Sequence, residues 1–291
     1  MNKCLSWEDV KNNSNAIRIH NHGFVLLKDV YGNDSSIAEA ARISYGDGTK
    51  SLNDNRSLIR YLVRNRHTSP IEQVCGTFII KLPIFVMRQL VRHRTAKLNE
   101  YSGRYSIMPD EYYVPTSIRT QSESNKQGSD GIINDELSLR WLENYNQLLQ
   151  DADTLYQSGI DMNMSRELNR ICQPVSQYTI CQWQMDLHNL MNFLRLRLDS
   201  HAQIEIREYA EAIYTLIKKY FPITIEAFED YALDSITFSR MEIEALRLIF
   251  TRNYHNVYNN ADEMKHCFDN MNMSNREISE FLKKVTKLCY E

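Results

Sequence analysis

Several things this 291-residue chain lacks narrow its chemistry. No apolar run reaches the ~18 residues a membrane helix needs; the longest candidate, Val74 to Val91, is cut by Lys81, Pro83 and Arg88. No membrane partner is therefore expected, and the opening Met1-Asn2-Lys3-Cys4-Leu5-Ser6-Trp7 has no secretory pattern. Six cysteines (Cys4, Cys75, Cys172, Cys181, Cys267, Cys289) are scattered without metal-ligand spacing. They read as free thiols in a reducing cytoplasm rather than a disulfide framework, and no metal is expected. There is no basic surplus: the formal charge is −3 and the pI about 6.3. That argues against a general nucleic-acid binder, whose footprint is broad and basic. No glycine-rich fingerprint follows a strand, so a dinucleotide in a Rossmann crevice is not expected. Internal repeats are missing too.

What is present is ordinary for a globular protein, with 43% hydrophobic and 24% charged residues. Residues 1 to 20 carry no clear pattern. His22 to Tyr31 alternates as a strand, and Asp34 or Ser35 then caps a helix through Ile43. A second helix runs from Asp54 to Arg66, with Leu58, Ile59, Leu62 and Val63 facing a core. Val74 to Leu82 reads as a strand, and Pro83 opens a helix at its first position. Residues 109 to 136 are polar and read as a surface loop. Asp135 opens a helix to about Ser158 in which Trp141, Tyr145, Leu148, Ala152 and Leu155 mark a packing face. Further helices follow at 186–200, 204–219, 223–232 and 239–250. The chain ends in an amphipathic helix opened by a Ser274/Glu277 capping box, its Ile278, Phe281, Leu282, Val285 and Leu288 docking on the body or on a neighbouring subunit.

One stretch reverses the sign of the charge. Between positions 88 and 105 lie Arg88, Arg92, Arg94, Lys97 and Arg104, opposed only by Glu100. With the helix from Pro83 continued through them, Arg88 and Arg92 are like-charged neighbours, partly desolvated by Ile84, Phe85, Met87, Leu90 and Val91. Cations placed so need an anion, and a phosphate suits guanidinium groups. Asn99, Glu100, Ser102 and Gly103 add an amide, a carboxylate, a hydroxyl and close-approach backbone, a mix suited to a base or sugar. Arg197 lies on the apolar side of its helix, with Phe193 and His201 where a pairing acid would stand.

The order Arg92-His93-Arg94, then Asn99-Glu100, Ser102 and Arg104-Tyr105, resembles the long motif of the flavin-dependent thymidylate synthases. It departs at one fixed position, where Lys97 replaces Ser. His67-Thr68-Ser69-Pro70 is similar to that family's His-x-[Thr/Ser]-Pro segment, Arg170 and Pro174 to its Arg-x-x-x-Pro, and Asn192 and Arg197 to its Asn-x-x-x-x-Arg. The resemblance spans roughly residues 22 to 240.

It implies an α+β fold, a twisted β-sheet flanked by helices, in a single domain with an extra C-terminal amphipathic helix. The divisions it suggests are an N-terminal segment 1–21, a catalytic domain 22–240 and a helical extension 241–291. It implies reductive methylation of dUMP to dTMP, with methylenetetrahydrofolate giving the carbon and NADPH-reduced FAD the hydride, in a cytoplasmic homotetramer with shared active sites. By this resemblance Gln89, Leu90, Val91, Arg92, Glu100, Tyr101, Ser102, Gly103, Arg104, Arg170 and Arg197 hold dUMP, and Arg197 is catalytic through the uracil ring. His67, Ser69, Arg92, His93, Arg94, Glu100, Asp186, His188 and Asn192 hold FAD. Asp186 and His188 stand where some members have Asn and Arg. No cysteine lies in the motifs, so a cysteine nucleophile is not expected. Two other readings compete: a metal-dependent nucleotide phosphohydrolase built on Glu100, weakened by the lack of clustered acids nearby, and an RNA-binding helical protein, weakened by the confinement of basic charge to one segment.

Overall fold

The computed structural model describes residues 4–44, 54–123, 128–133, 135–251 and 275–290. They fall into two compact units, Met1–Leu233 and Asp234–Glu291. The first is α+β. In chain order it contains α1 (Trp7–Val10), β1 (Ala16–Ile19), β2 (Gly23–Tyr31), α2 (Asp34–Arg42), α3 (Asn55–Arg64), a 3-10 turn (Ile71–Gln73), β3 (Cys75–Pro83), α4 (Ile84–Leu90) and β4 (Lys97–Glu100). There follow β5 (Ile118–Gln121), β6 (Ser129–Ile133), α5 (Glu136–Asp161), α6 (Arg166–Asn169), β7 (Tyr178–Asp186), α7 (Leu187–Arg197), α8 (Ile204–Lys218) and α9 (Pro222–Phe228). The second unit contains α10 (Arg240–Thr251) and α11 (Asn275–Tyr290).

Five strands form one sheet in the order β1-β2-β3-β7-β4, every neighbouring pair antiparallel. Because side chains alternate along a strand, Val25 and Leu27 of β2, Phe78, Ile80 and Leu82 of β3, and Cys181, Trp183 and Met185 of β7 all reach one buried face. There they meet Leu58, Ile59 and Leu62 of α3, Leu187, Leu190 and Leu194 of α7, and Ile206, Ile213 and Ile217 of α8. Each such aliphatic or aromatic side chain fully buried contributes about 1.5–3 kcal/mol, so this face holds the sheet to its helices. On the other face Phe24 and Leu26 pack with Val10 of α1 and with Trp7. An aromatic ladder crosses the main core: Phe78 lies 6.1 Å from Trp183, and Trp183 lies 5.3 Å from Phe193 of α7, ring centre to ring centre.

Several sequence-based expectations are corrected. Residues 4–20 contain α1 and β1; each is only four residues long, too short to leave a period. Asn33, not Asp34 or Ser35, caps α2, its side-chain oxygen accepting from the amides of Ser35 and Ser36. Pro83 is the cap of α4 rather than its first residue. The supposed surface loop carries the β5–β6 hairpin. The apolar stripe of α5 is not a core: Trp141, Leu148 and Leu155 are each more than half exposed, and the helix instead buries Leu149, Tyr156 and Gly159. Within the second unit, α11 packs Phe281 and Val285 onto Ala245 of α10; Ser274 of the expected capping box lies outside the described residues.

Candidate functional site

The basic stretch is built differently from the helix that its spacing suggested. α4 ends at Leu90, Val91 closes it, and Arg92 already lies in the turn beyond, its amide donating to the Gln89 carbonyl at 3.3 Å. The chain then joins β4, whose Lys97, Leu98, Asn99 and Glu100 stand opposite Gln184, Trp183, Gln182 and Cys181 of β7. Arg88 and Arg92 are therefore not helical neighbours. Nor are they desolvated by the protomer: Arg88, Arg92, Arg94, Arg104 and Arg170 are all exposed, while Leu90 is buried and Gln89 half-buried. Among the described residues Arg88, Arg92, Arg94 and Arg170 form no ion pair. Arg104 reaches Glu167 at 3.3 Å with both side chains more than half exposed, an arrangement of little net stability.

His93 is the anchored member of the triplet. It lies edge-on against Phe193, 4.8 Å between ring centres, at the end of the aromatic ladder. Its Nε2 accepts a hydrogen bond from Nε of Arg197 at 3.1 Å. Burial, and then the adjacent Arg197 charge, pull His93 down to about 4, so at neutral pH it is an uncharged acceptor. Burial also lowers Arg197 from its usual range, but not far enough for a guanidinium to lose its proton. Neither terminal nitrogen of Arg197 has a partner among the described residues. A half-buried cation is thus clamped at its Nε, with two nitrogens free to address a ligand.

β4 supplies the second arm. Glu100 is exposed, but Oε1 accepts from the Thr179 hydroxyl at 2.8 Å, which fixes the carboxylate against β7. The Tyr101 amide donates to the Ile180 carbonyl at 2.8 Å, extending the ladder by one residue. Ser102 starts a turn that buries Gly103, where a Cβ would lie 3.1 Å from Sδ of Met108 and 3.3 Å from Cδ of Arg170. That close approach brings the stem of Arg170 alongside the Ser102–Arg104 turn. Nη1 of Arg166 donates to the Tyr105 carbonyl at 2.5 Å, tying α6 to the same turn.

The third arm is the start of α7. Asp186 caps this helix: Oδ1 accepts from the Asn189 amide at 2.9 Å and Oδ2 from Asn189 Nδ2 at 2.8 Å. One turn on, Asn192 Nδ2 and His188 Nε2 are 3.2 Å apart. The 3-10 turn before β3 packs on α7, with the Leu187 amide donating to the Val74 carbonyl at 2.9 Å, so exposed His67 and Ser69 arrive beside this end of the sheet. A cleft of about 320 Å³ opens there, lined by Glu72, Cys75, Thr95, Lys97, Gln184 and Asp186 among others. Lys97 points into it with Nζ 3.4 Å from Oε1 of Gln184. None of the described clefts includes Arg92, Arg104 or Arg170.

Reasoning from sequence missed the residues behind these arms: Thr179, Phe193, and the pair Gln203 and Glu205. Gln203 accepts from Gln89. His201 precedes α8, is exposed, and is held by Asp199 through Nδ1 at 2.8 Å. The signal available was the polar Gln203 placed two residues before a glutamate at a helix start.

The family model described as "Thymidylate synthase complementing protein" matches residues 25–223. A flavin-dependent thymidylate synthase of Dictyostelium discoideum is 45% identical over 241 residues, 79% of each chain. One from Thermus thermophilus is 42% identical over 270 residues, 93% of this chain and 96% of the relative. Among solved structures, the UMP/dUMP methylase PolB of Streptomyces cacaoi, bound with 5-Br dUMP, superposes with a TM-score of 0.66 at 32% identity, covering 75% of this chain and 99% of that one. The protein is an enzyme of the nucleotide-methylating class. The chain belongs to the flavin-dependent thymidylate synthase family.

Proposed function

We propose that this enzyme converts dUMP to dTMP, methylenetetrahydrofolate giving the carbon, NADPH the electrons and FAD the relay between them. The uracil C5 gains a methylene carbon and a hydride and gives up its proton. The observation that carries this reading is the His93–Arg197 clamp, which brings the basic turn and α7 together and aims a half-buried guanidinium outward. Such a cation near uracil favours the ionised ring, and its effect grows where water is excluded.

The other residues divide by chemistry. Arg92, Arg104 and Arg170 are exposed cations suited to a nucleotide phosphate, with the weak Arg104–Glu167 contact easily given up to it. Gln89, Leu90, Val91, Tyr101, Ser102 and Gly103 shape the same side, and Glu100, held at one oxygen by Thr179, keeps the other free as an acceptor. The donor set toward FAD also fits: Arg92, His93 and Arg94 cannot all face one ligand, and unpaired Arg94 suits a pyrophosphate. Ser69 and His67, with His188 and Asn192 on α7, offer polar contacts for the rings; Asp186 acts on them by capping that helix. Bound flavin supplies the hydride, which no side chain can carry. Cys181, opposite Glu100, is held as a thiol, since burial and then Glu100 push it up to about 12.

A homotetramer with shared sites accounts for two features that the protomer leaves open, the exposed arginines and the uncovered apolar side chains of α5. The catalytic domain is taken as 22–240, with 241–291 as a helical extension, in a cytoplasmic protein. The test is direct: purified protein supplied with FAD should lose its visible absorbance with NADPH, and should form thymidylate only when NADPH and methylenetetrahydrofolate are both present. Thymidylate formed by flavin-free protein, or without reductant, would overturn the proposal.

A further inference from the structure

A chain of three polar side chains, Glu205, Gln203 and Gln89, runs from the core to the nucleotide side of the site. Glu205, in the first turn of α8, is 2% exposed. Its Oε1 accepts from Nη2 of Arg119 at 2.5 Å and from the Tyr113 hydroxyl at 2.9 Å. Its Oε2 accepts from Nε2 of Gln203 at 2.8 Å. The Oε1 of Gln203 in turn accepts from Nε2 of Gln89 at 2.5 Å. Burial pushes the Glu205 carboxyl up, but the bonds from Arg119 and Tyr113 outweigh it and the net shift is downward. The group is a carboxylate.

A carboxylate has no hydrogen to give, so it dictates the direction of every bond beyond it. Gln203 must turn its NH₂ toward Glu205 and therefore its carbonyl toward Gln89. Gln89 must then place its NH₂ against Gln203, which turns its carbonyl oxygen outward as the acceptor it offers. An isolated glutamine offers donor and acceptor equally; this one is polarised by a charge two residues away in the network.

We propose that Gln203 and Glu205 are positioning residues that fix Gln89 as an acceptor, so that it selects the hydrogen-bond-donating edge of the nucleotide. This rests on the reading that Gln89 touches dUMP. With Glu205 replaced by a group that can donate, Gln203 and Gln89 are free to turn over, and an NH₂ then meets a ligand donor. A mismatched buried pair of this kind weakens binding by about tenfold.

The test titrates deoxyuridylate into the flavin-loaded full-length protein and measures turnover beside it. Gln89→Ala, Glu205→Gln and Gln203→Leu should each raise Kd and KM for deoxyuridylate about tenfold while kcat changes less than about threefold. Gln203→Leu keeps the Arg119–Glu205 pair and so serves if Glu205→Gln fails to fold. Gln89→Ala combined with Gln203→Leu should be no worse than Gln89→Ala alone, because both act through one contact; a purely structural role would add its loss to the first. Unchanged Kd in Gln203→Leu beside a weakened Gln89→Ala overturns the relay alone, as does an additive double variant. An unchanged Gln89→Ala overturns the contact with dUMP, and the relay with it.

Discussion

Nε of Arg197 donates to Nε2 of His93 across 3.1 Å, joining the turn after α4 to the last turn of α7. The bond requires His93 to be neutral, because a protonated imidazole has no lone pair to offer and would repel the guanidinium. The burial that lowers His93 to about 4 is thus also what orients Arg197.

A pH dependence of stability follows. In the unfolded chain His93 titrates near ~6.5, and in the folded protein near 4. Between those values the unfolded state binds more protons, so stability falls as pH drops from about 6.5 toward 4 and does not change on this account above that window. Urea melts of the wild type from pH 7.5 to 4.5 should show the loss, and His93→Asn should flatten it. Identical slopes for the two proteins would show that His93 does not hold this pKa.

Thr179 fixes Glu100 from the neighbouring strand. Thr179→Val keeps the volume at a 3% exposed position and deletes only the hydroxyl. Loss of that bond costs about 1 kcal/mol of positioning, so kcat/KM for dUMP should fall roughly five- to tenfold while the melting temperature shifts by only a few degrees. A variant with unaltered kcat/KM would remove Thr179 from the account.

Gly159 faces Asn169, the residue before Arg170. A Cβ there would lie 2.0 Å from Oδ1 of Asn169, whose side chain is buried and donates to the Tyr156 carbonyl at 2.8 Å. Gly159→Ala should therefore displace Asn169, cost about 2 kcal/mol of stability, and raise KM for dUMP by moving Arg170. Thermal melting and steady-state kinetics on the one variant check both effects.

How much of this was legible beforehand depended on whose atoms complete each element. The stripe Leu187, Leu190, Met191 and Leu194 announced α7 because its period meets the chain's own sheet. The stripe of Trp141, Leu148 and Leu155 has the same period, yet no described residue of the first unit covers it; periodicity tells that a face is apolar, not what lies against it. α4 is shorter than its spacing suggests because the chain leaves it to bring Lys97–Glu100 onto β7, some 80 positions later in the sequence, and that pairing leaves no local mark. The β5–β6 hairpin was hidden by its composition, Ser129 and Asp130 reading as loop. The long basic motif singles out the proposed site residues in the sequence, whereas Thr179, Phe193 and Gln203 act by contact at a distance and carry no such mark.

Cys181 stands opposite Glu100 in the sheet, beside the proposed nucleotide side. With its pKa held near 12 by burial and the facing carboxylate, it is a thiol at neutral pH and a poor nucleophile. Cys181→Ala should retain turnover within a few-fold, at a modest cost in stability for the lost packing. Complete loss of thymidylate formation in a folded Cys181→Ala protein would indicate a covalent cysteine route.

The measurement that bears most directly on the whole account is release of tritium from ring-labelled deoxyuridylate by the full-length protein with FAD, NADPH and methylenetetrahydrofolate, wild type beside Arg197→Ala. The wild type should release tritium and Arg197→Ala none above background, with the variant's circular dichroism and flavin content unchanged. Full release by Arg197→Ala, or none by flavin-loaded wild type, would contradict the account.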